Sequence, residues 1–171
     1  GSDINVDGNF TRTSGVITAD ASTTYKLTAG GNVIFGGTNA LPSARFSLLM
    51  NGTGAKTLQS GLSLTFPIEV NKTSGGSVDV TGITVSSSAG ANTCTITEGK
   101  ISMSTSAFSC ADGINIQDGA TIQMGSNGGG CIYPTPSTVT LQTGSTATFV
   151  GASGGSVQTC NMGSFKTSYY N

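Results

Sequence analysis

Apolar and polar residues alternate along this chain in short stretches, and a glycine-containing break follows almost every stretch. Side chains of an extended strand point to opposite faces in turn, so a period of two marks strands with one buried face. Read this way, the sequence predicts strands over Ile4–Val6, Gly15–Thr18, Thr24–Thr28, Val33–Phe35, Phe46–Met50, Lys56–Gln59, Leu62–Val70, Val78–Val80 and Ile83–Val85. The rhythm then tightens, with strands over Thr93–Thr97, Lys100–Ser104, Ala107–Cys110, Ile114–Ile116 and Ala120–Met124, and later Thr138–Gln142, Thr146–Val150 and Ser156–Cys160. Helix is nearly excluded, because the 3.6-residue repeat of an amphipathic helix does not surface.

Many short strands with regular punctuation fit two all-β architectures. One is a solenoid of stacked coils, a right-handed parallel β-helix. The alternative is an antiparallel β-sandwich or jelly roll assembled by donor strands. Hairpin signals occur at Asp7-Gly8, Asn51-Gly52, Asp112-Gly113 and Asp118-Gly119 and suit either one. Between Thr95 and Met124, however, single glycines or a few small residues separate the strands, in TITEGKISMSTSAFSCADGINIQDGATIQM, and such corners favour coils whose faces meet at bends. The segment 126–137, with Gly128, Gly129, Gly130, Pro134 and Pro136, reads as an irregular loop, and the rest as one β-rich domain over 1–171.

The stretches INVDGNFTRTSGVITADASTTYKLTAGGNVIFGGT, KTLQSGLSLTFPIEVNKTSGGSVDVTGITVSS and EGKISMSTSAFSCADGINIQDGATIQM cover roughly the first three quarters of the chain. They resemble the Gly- and Thr-rich repeats of secreted bacterial right-handed parallel β-helix proteins, including haemagglutinin-like adhesins. The resemblance implies a stiff rod facing the environment, in a protein that adheres, coats or assembles. The cysteines and the short length depart from that pattern.

Composition narrows the function classes. Charged residues make up 9% of the 171 residues, and seven basic against eight acidic side chains leave a net charge of -1. No positive field gathers phosphates, so nucleic acid is not an expected partner. Hydrophobic residues reach 36%, enough for a core despite 26 glycines. The longest nearly apolar run, Phe46–Met50, is far short of the roughly 20 residues of a membrane-spanning helix. The N-terminus carries no basic patch followed by an apolar stretch, so an export signal is expected to have been removed or to lie outside this sequence.

Cys94, Cys110, Cys131 and Cys160 are even in number and lack the close spacing of zinc sites or thiol oxidoreductases. Two disulfides in an oxidising compartment or four buried thiols are the alternatives; of three pairings, Cys94–Cys110 with Cys131–Cys160 closes the shortest loops. Asn9, Asn51 and Asn71 head Asn-x-Thr triplets, candidate glycosylation sites that a Thr-rich chain also produces by chance.

The chain has no histidine, which removes Ser-His-Asp and Cys-His catalysis, and no lysine follows a serine by three residues. Asp112 and Asp118 are the one carboxylate pair with a prospect of converging, yet an Asp before Gly more often makes a turn. No carboxylate repeat suits calcium, and Gly128–Gly130 lacks the lysine of a phosphate loop. The expectation is therefore a protein without catalytic, cofactor-binding or metal-binding residues. Thr138, Thr140, Thr146 and Thr148 present methyl and hydroxyl groups that ice-binding solenoids also use, or are simply strand-forming residues.

Strand edges are normally guarded by charges, prolines or caps, and this chain has few of them. The expected function is an extracellular or cell-surface structural protein: a self-assembling subunit of a fibre or pilus-like filament, or a rod segment of an adhesin. Its partner is itself, with a glycan or a host or neighbouring surface as further candidates, and residues 3–12 form a possible donor strand. The alternatives are a carbohydrate-binding or polysaccharide-degrading β-helix and an ice-binding protein.

Overall fold

The computed structural model of the chain describes residues 2–18, 22–38, 45–81, 83–85, 93–103, 108–127, 130–132, 134, 138–150 and 166–169. Among the described residues there are eighteen strands and no helix. They wind as a parallel β-solenoid, with consecutive strands on different faces and each face climbing one rung per coil.

β1 (Ile4–Val6) and β2 (Phe10–Arg12) make the first coil, β3 (Tyr25–Ala29) and β4 (Val33–Phe35) the second, and β5 (Phe46–Gly52) and β6 (Ala55–Ser60) the third. The fourth holds β7 (Ile68–Lys72), β8 (Ser77–Thr81) and β9 (Thr84–Val85), and the fifth β10 (Cys94–Glu98), β11 (Lys100–Met103) and β12 (Ser109–Cys110). β13 (Ile114–Ile116), β14 (Thr121–Asn127) and β15 (Gly130–Ile132) follow, then β16 (Thr138–Leu141) with β17 (Thr146–Phe149), and finally β18 (Lys166–Tyr169).

One long sheet runs β1-β3-β5-β7-β10-β13-β16-β18, and the second stacks β2, β4, β6, β8, β11, β14 and β17 in parallel. A narrow third face pairs β9 with β12, and Leu64 joins it by a bridge to Val85. Register partners lie 23 residues apart from Ile4 to Leu27, 20 from Leu48 to Ile68 and 28 from Leu141 to Tyr169, so coils differ in length. Most of the excess is taken up between strands, and the registers stay in step apart from a bulge between Ile96 and Glu98 where β10 pairs with β7.

Because rungs stack in register, each inward position builds a column. Val6, Ala29, Met50, Val70, Ile96, Ile116 and Leu141 form one on the first sheet. Phe10, Val33, Leu58 and Val80 begin another on the second, which continues through Met103 and Met124 to Phe149. Between the sheets Phe10, Phe35, Phe66 and Phe46 form a chain of tilted and edge-on rings with centroids 4.9–5.8 Å apart. Most of these side chains are fully buried, with Val6, Phe10 and Phe149 at the terminal rungs more open; each fully buried large one stabilises the fold by roughly 1.5–3 kcal/mol relative to exposure.

Glycine turns the chain from the first sheet to the second. At Gly99 a single residue separates β10 from β11, with φ of 81°, and a Cβ there would come within 2.6 Å of the Gly76 carbonyl oxygen and collide with that of Lys72. Only glycine accepts both the left-handed backbone and the close rung. Two earlier corners are closed differently: Asn9 Oδ1 accepts the Asn32 N–H at 2.9 Å, and Asn32 Oδ1 accepts the Thr57 N–H at 3.0 Å. Each side chain thus supplies an inter-coil bond where the backbone ladder pauses.

Two expected strands change. Leu62–Val70 is two pieces, because Pro67 has no N–H for a ladder: Leu64 lies on the third face and Ile68 opens β7 on the first. Gly15–Thr18 forms no strand, and Val16 is exposed. The segment 126–137 holds part of an antiparallel pairing, in which the end of β14 folds back on β15 with Ser126 opposite Cys131. Residues 3–12 run through the first coil of their own chain, paired to β3 and β4. Ser156–Cys160 lies outside the described residues.

Candidate functional site: the ends of the solenoid

The side walls are closed by hydrogen bonding between coils, whereas the ends present strand edges. β1 and β2 form one end, with no strand on their outer sides among the described residues; β18 and β17 form the other. Among the described residues the exposed large hydrophobic side chains are Ile4 (43%), Val16 (64%), Phe149 (43%) and Val150 (46%), all in the first or seventh coil. At the first end Ser2, Ile4, Ile17, Thr18, Tyr25 and Phe46 line an apolar depression. Strand edges beside exposed apolar side chains are the chemistry of strand addition.

The two ends are unequal. Among the described residues the first sheet has eight rungs and the parallel ladder of the second has seven, so β18 stands one rung beyond β17.

Inside, Cys94 and Cys110 are joined by a disulfide, as the shortest-loop pairing requires. Both are fully buried, one on β10 and the other on β12, so the bond closes the fifth coil into a ring across the core. Cys131 lies on β15, and Cys160 is outside the described residues.

Lys72 is the functional-looking residue that pattern reading passes over. It ends the inward series Ile68, Val70, Lys72 on β7 and is fully buried. Its Nζ donates to the Asn51 carbonyl oxygen at 2.5 Å. Gly52 is its partner on the rung below, and a Cβ on Gly99 would lie 2.7 Å from its own Cβ, so glycines leave the space for its stem. Burial, and secondarily the positive charge of Lys56, pull its ammonium below the ordinary lysine range. The signal in the sequence was parity: period two puts position 72 inward with 68 and 70.

The outer faces are mixed. The central outward column of the first sheet reads Asn5, Thr28, Leu49, Glu69, Thr95, Asn115 and Thr140. Beside it Lys26 and Glu69 approach to 3.9 Å, Glu69 accepts from Thr97 Oγ1 at 3.2 Å, and a shallow depression is lined by Lys26, Ser47, Glu69, Thr93 and Thr95. On the second sheet Thr146 and Thr148 follow Thr121 and Gln123, while Thr138 and Thr140 sit on β16. Asn9 is exposed with its Oδ1 engaged by the next coil, and Asn51 faces Asn71 across adjacent rungs. Asp112 and Asp118 occupy turns at opposite ends of β13, roughly 20 Å apart along an extended chain, so the fold does not bring these carboxylates together. Among the described residues no three His, Cys, Asp or Glu side chains gather around a common point.

No family model, no curated protein and no solved structure matches this chain.

Proposed function

We propose that the chain is a structural rod of the cell exterior, a repeating subunit of a fibre or a rod segment of a surface adhesin, and that its working chemistry is coil-on-coil stacking without catalysis. One observation carries the reading: among the described residues the exposed large hydrophobic side chains lie in the terminal coils, and no described strand lies outside β1 and β2. A side wall of small hydroxyl and amide residues with little charge suits a surface that faces water, and a buried disulfide suits an oxidising compartment. Residues 3–12 pair with β3 and β4 of their own chain, which supports stacking of whole ends as the mode of assembly.

The test is sedimentation of the purified chain at rising concentration, followed by negative-stain microscopy. Rods whose length grows with concentration are expected. Compact monomers at millimolar concentration overturn the reading.

The depression beside Lys26 and Glu69 favours a second reading, glycan binding on the first sheet, since a cation, a carboxylate and several hydroxyls converge there. A glycan array tests it: signal lost in Glu69→Gln supports it, and a blank array removes it.

A further inference from the structure

We propose that the depression on the first sheet is a furrow for an uncharged, extended oligosaccharide with the equatorial linkage of cellulose, lying parallel to the solenoid axis and selected by the Lys26–Glu69 pair. The proposal rests on the glycan reading above and adds the class of sugar, its direction and the residues that choose it.

Shape sets the direction. Lys26, Ser47, Pro67 and Thr93 line the furrow at the entries to β3, β5, β7 and β10, which are four consecutive rungs of the first sheet. With rungs about 4.8 Å apart, the column extends about 14 Å along the axis. Ser47, Pro67 and Thr93 are short, so the long side chains of Lys26 and Glu69 form the rim. A cavity of about 150 Å³ is well below the roughly 300–1,000 Å³ of pockets that enclose a ligand. A molecule bound here therefore lies along an open trough with its ends projecting. That suits one stretch of a longer chain, and a straight line of rungs suits a linkage that keeps the chain extended.

Charge sets the class. Among the described residues Lys26 and Glu69 are the only ionisable groups lining the furrow. Lys26 Nζ and Glu69 Oε2 are 3.9 Å apart, beyond the roughly 2.7–3.2 Å of a direct hydrogen bond, so each keeps capacity for a ligand. Neighbouring sugar hydroxyls satisfy both, one donating to the carboxylate and one accepting from the ammonium. An anionic sugar meets Glu69, and a cationic one meets Lys26. Thr97 Oγ1 donates to Glu69 Oε1 at 3.2 Å and holds the carboxylate in place. The Ser47 and Thr93 hydroxyls donate to the Tyr25 and Asp112 carbonyls, both at 3.5 Å, which leaves their oxygens to accept from further sugar hydroxyls. Between them the half-buried ring of Pro67 supplies an apolar floor for the C–H face of a sugar. An apolar floor with a few placed polar groups is the composition of a ligand site.

The experiment titrates the full chain by isothermal calorimetry with the hexamers of glucose, mannose and N-acetylglucosamine that share the cellulose linkage. The dimer of each is the short form, and the hexamers of glucosamine and mannuronic acid are the cationic and anionic counterparts. At least one neutral hexamer is expected to bind, with its dimer about tenfold weaker because it covers only part of the furrow. Glu69→Gln should weaken that hexamer about tenfold and admit the mannuronic acid hexamer, while Lys26→Met should admit the glucosamine hexamer. Such exchanges of selectivity are not produced by a damaged fold, and circular dichroism checks that each variant keeps its sheets. Equal binding of dimer and hexamer overturns the axial furrow. Charged hexamers that bind the unaltered chain as well as neutral ones overturn the selection, and binding that survives Ser47→Trp, which fills the trough, overturns the assignment; all three leave the glycan reading intact. Silence of every hexamer beside a positive glycan array overturns this proposal alone, and silence of both overturns the two together.

Discussion

Replacing both Cys94 and Cys110 by alanine probes the covalent ring of the fifth coil. The bond links residues 16 apart in sequence, and in the chain-entropy account opening a loop of that length releases about 3 kcal/mol of unfolded-state freedom. Both sulfurs are fully buried, between the rungs of Ile68 and Ile114 for Cys94, and their removal deletes packing worth about 0.8 kcal/mol each, near the value of a methylene. The expected loss is about 4–5 kcal/mol, or about 10–15 °C in Tm for a chain of this size. Urea titration followed by circular dichroism measures it, and the m-value should rise because the unfolded chain expands without the crosslink. A loss below about 2 kcal/mol with an unchanged m-value would refute the reasoning, since packing alone accounts for that much.

Gly99→Ala should destabilise by at least about 2 kcal/mol, because it forces a left-handed backbone and a backbone collision together, whereas Gly61→Ala, with open space around it and no positive φ, should change stability by less than about 1 kcal/mol. For Lys72 the folded-state pKa lies below the unfolded value of 10.5, so the unfolded chain binds more protons between the two. Wild-type stability relative to Lys72→Met should therefore rise with pH through that window and be lost as pH falls through it; parallel urea midpoints across neutral to alkaline pH would count against a desolvated amine. Asn9→Ala removes the acceptor of the Asn32 N–H and should cost about 1 kcal/mol, with faster hydrogen exchange at that amide as the site-specific readout. Unchanged exchange at Asn32 would show that the corner bond is not made in solution.

Much of the solenoid was legible because alternation and inward parity are the same fact. Val33–Phe35 and Ile114–Ile116 appear as read from the pattern, and the one-residue corner at Gly99 is the feature that separated coils from hairpins. β2 was hidden by Arg12, which points inward with 6% exposure and donates to the Gly36 carbonyl at 2.8 Å. A charged residue at an inward position breaks the apolar alternation that reveals a strand. Gly15–Thr18 misled for the opposite reason: its residues alternate suitably, but among the described residues the third face pairs where Leu64, Val85 and Cys110 stack. Pattern gives a strand's willingness, and a neighbouring rung decides whether it forms. Of the candidate site, the apolar residues at the ends were visible as residues; that the two sheets differ by one rung among the described residues is a property of connectivity, which no local window contains.

The unequal spacing of the registers has a consequence for how such a molecule changes length. Losing one residue inside a strand would invert every side chain beyond it in that strand, moving oily groups to the water side. Duplicating a whole coil, by contrast, preserves every pairing and lengthens the solenoid by about 4.8 Å. Reach is thus a quantity that gene duplication can adjust in fixed steps, much as a ladder is extended, with the corners tolerating whatever slack each new segment brings.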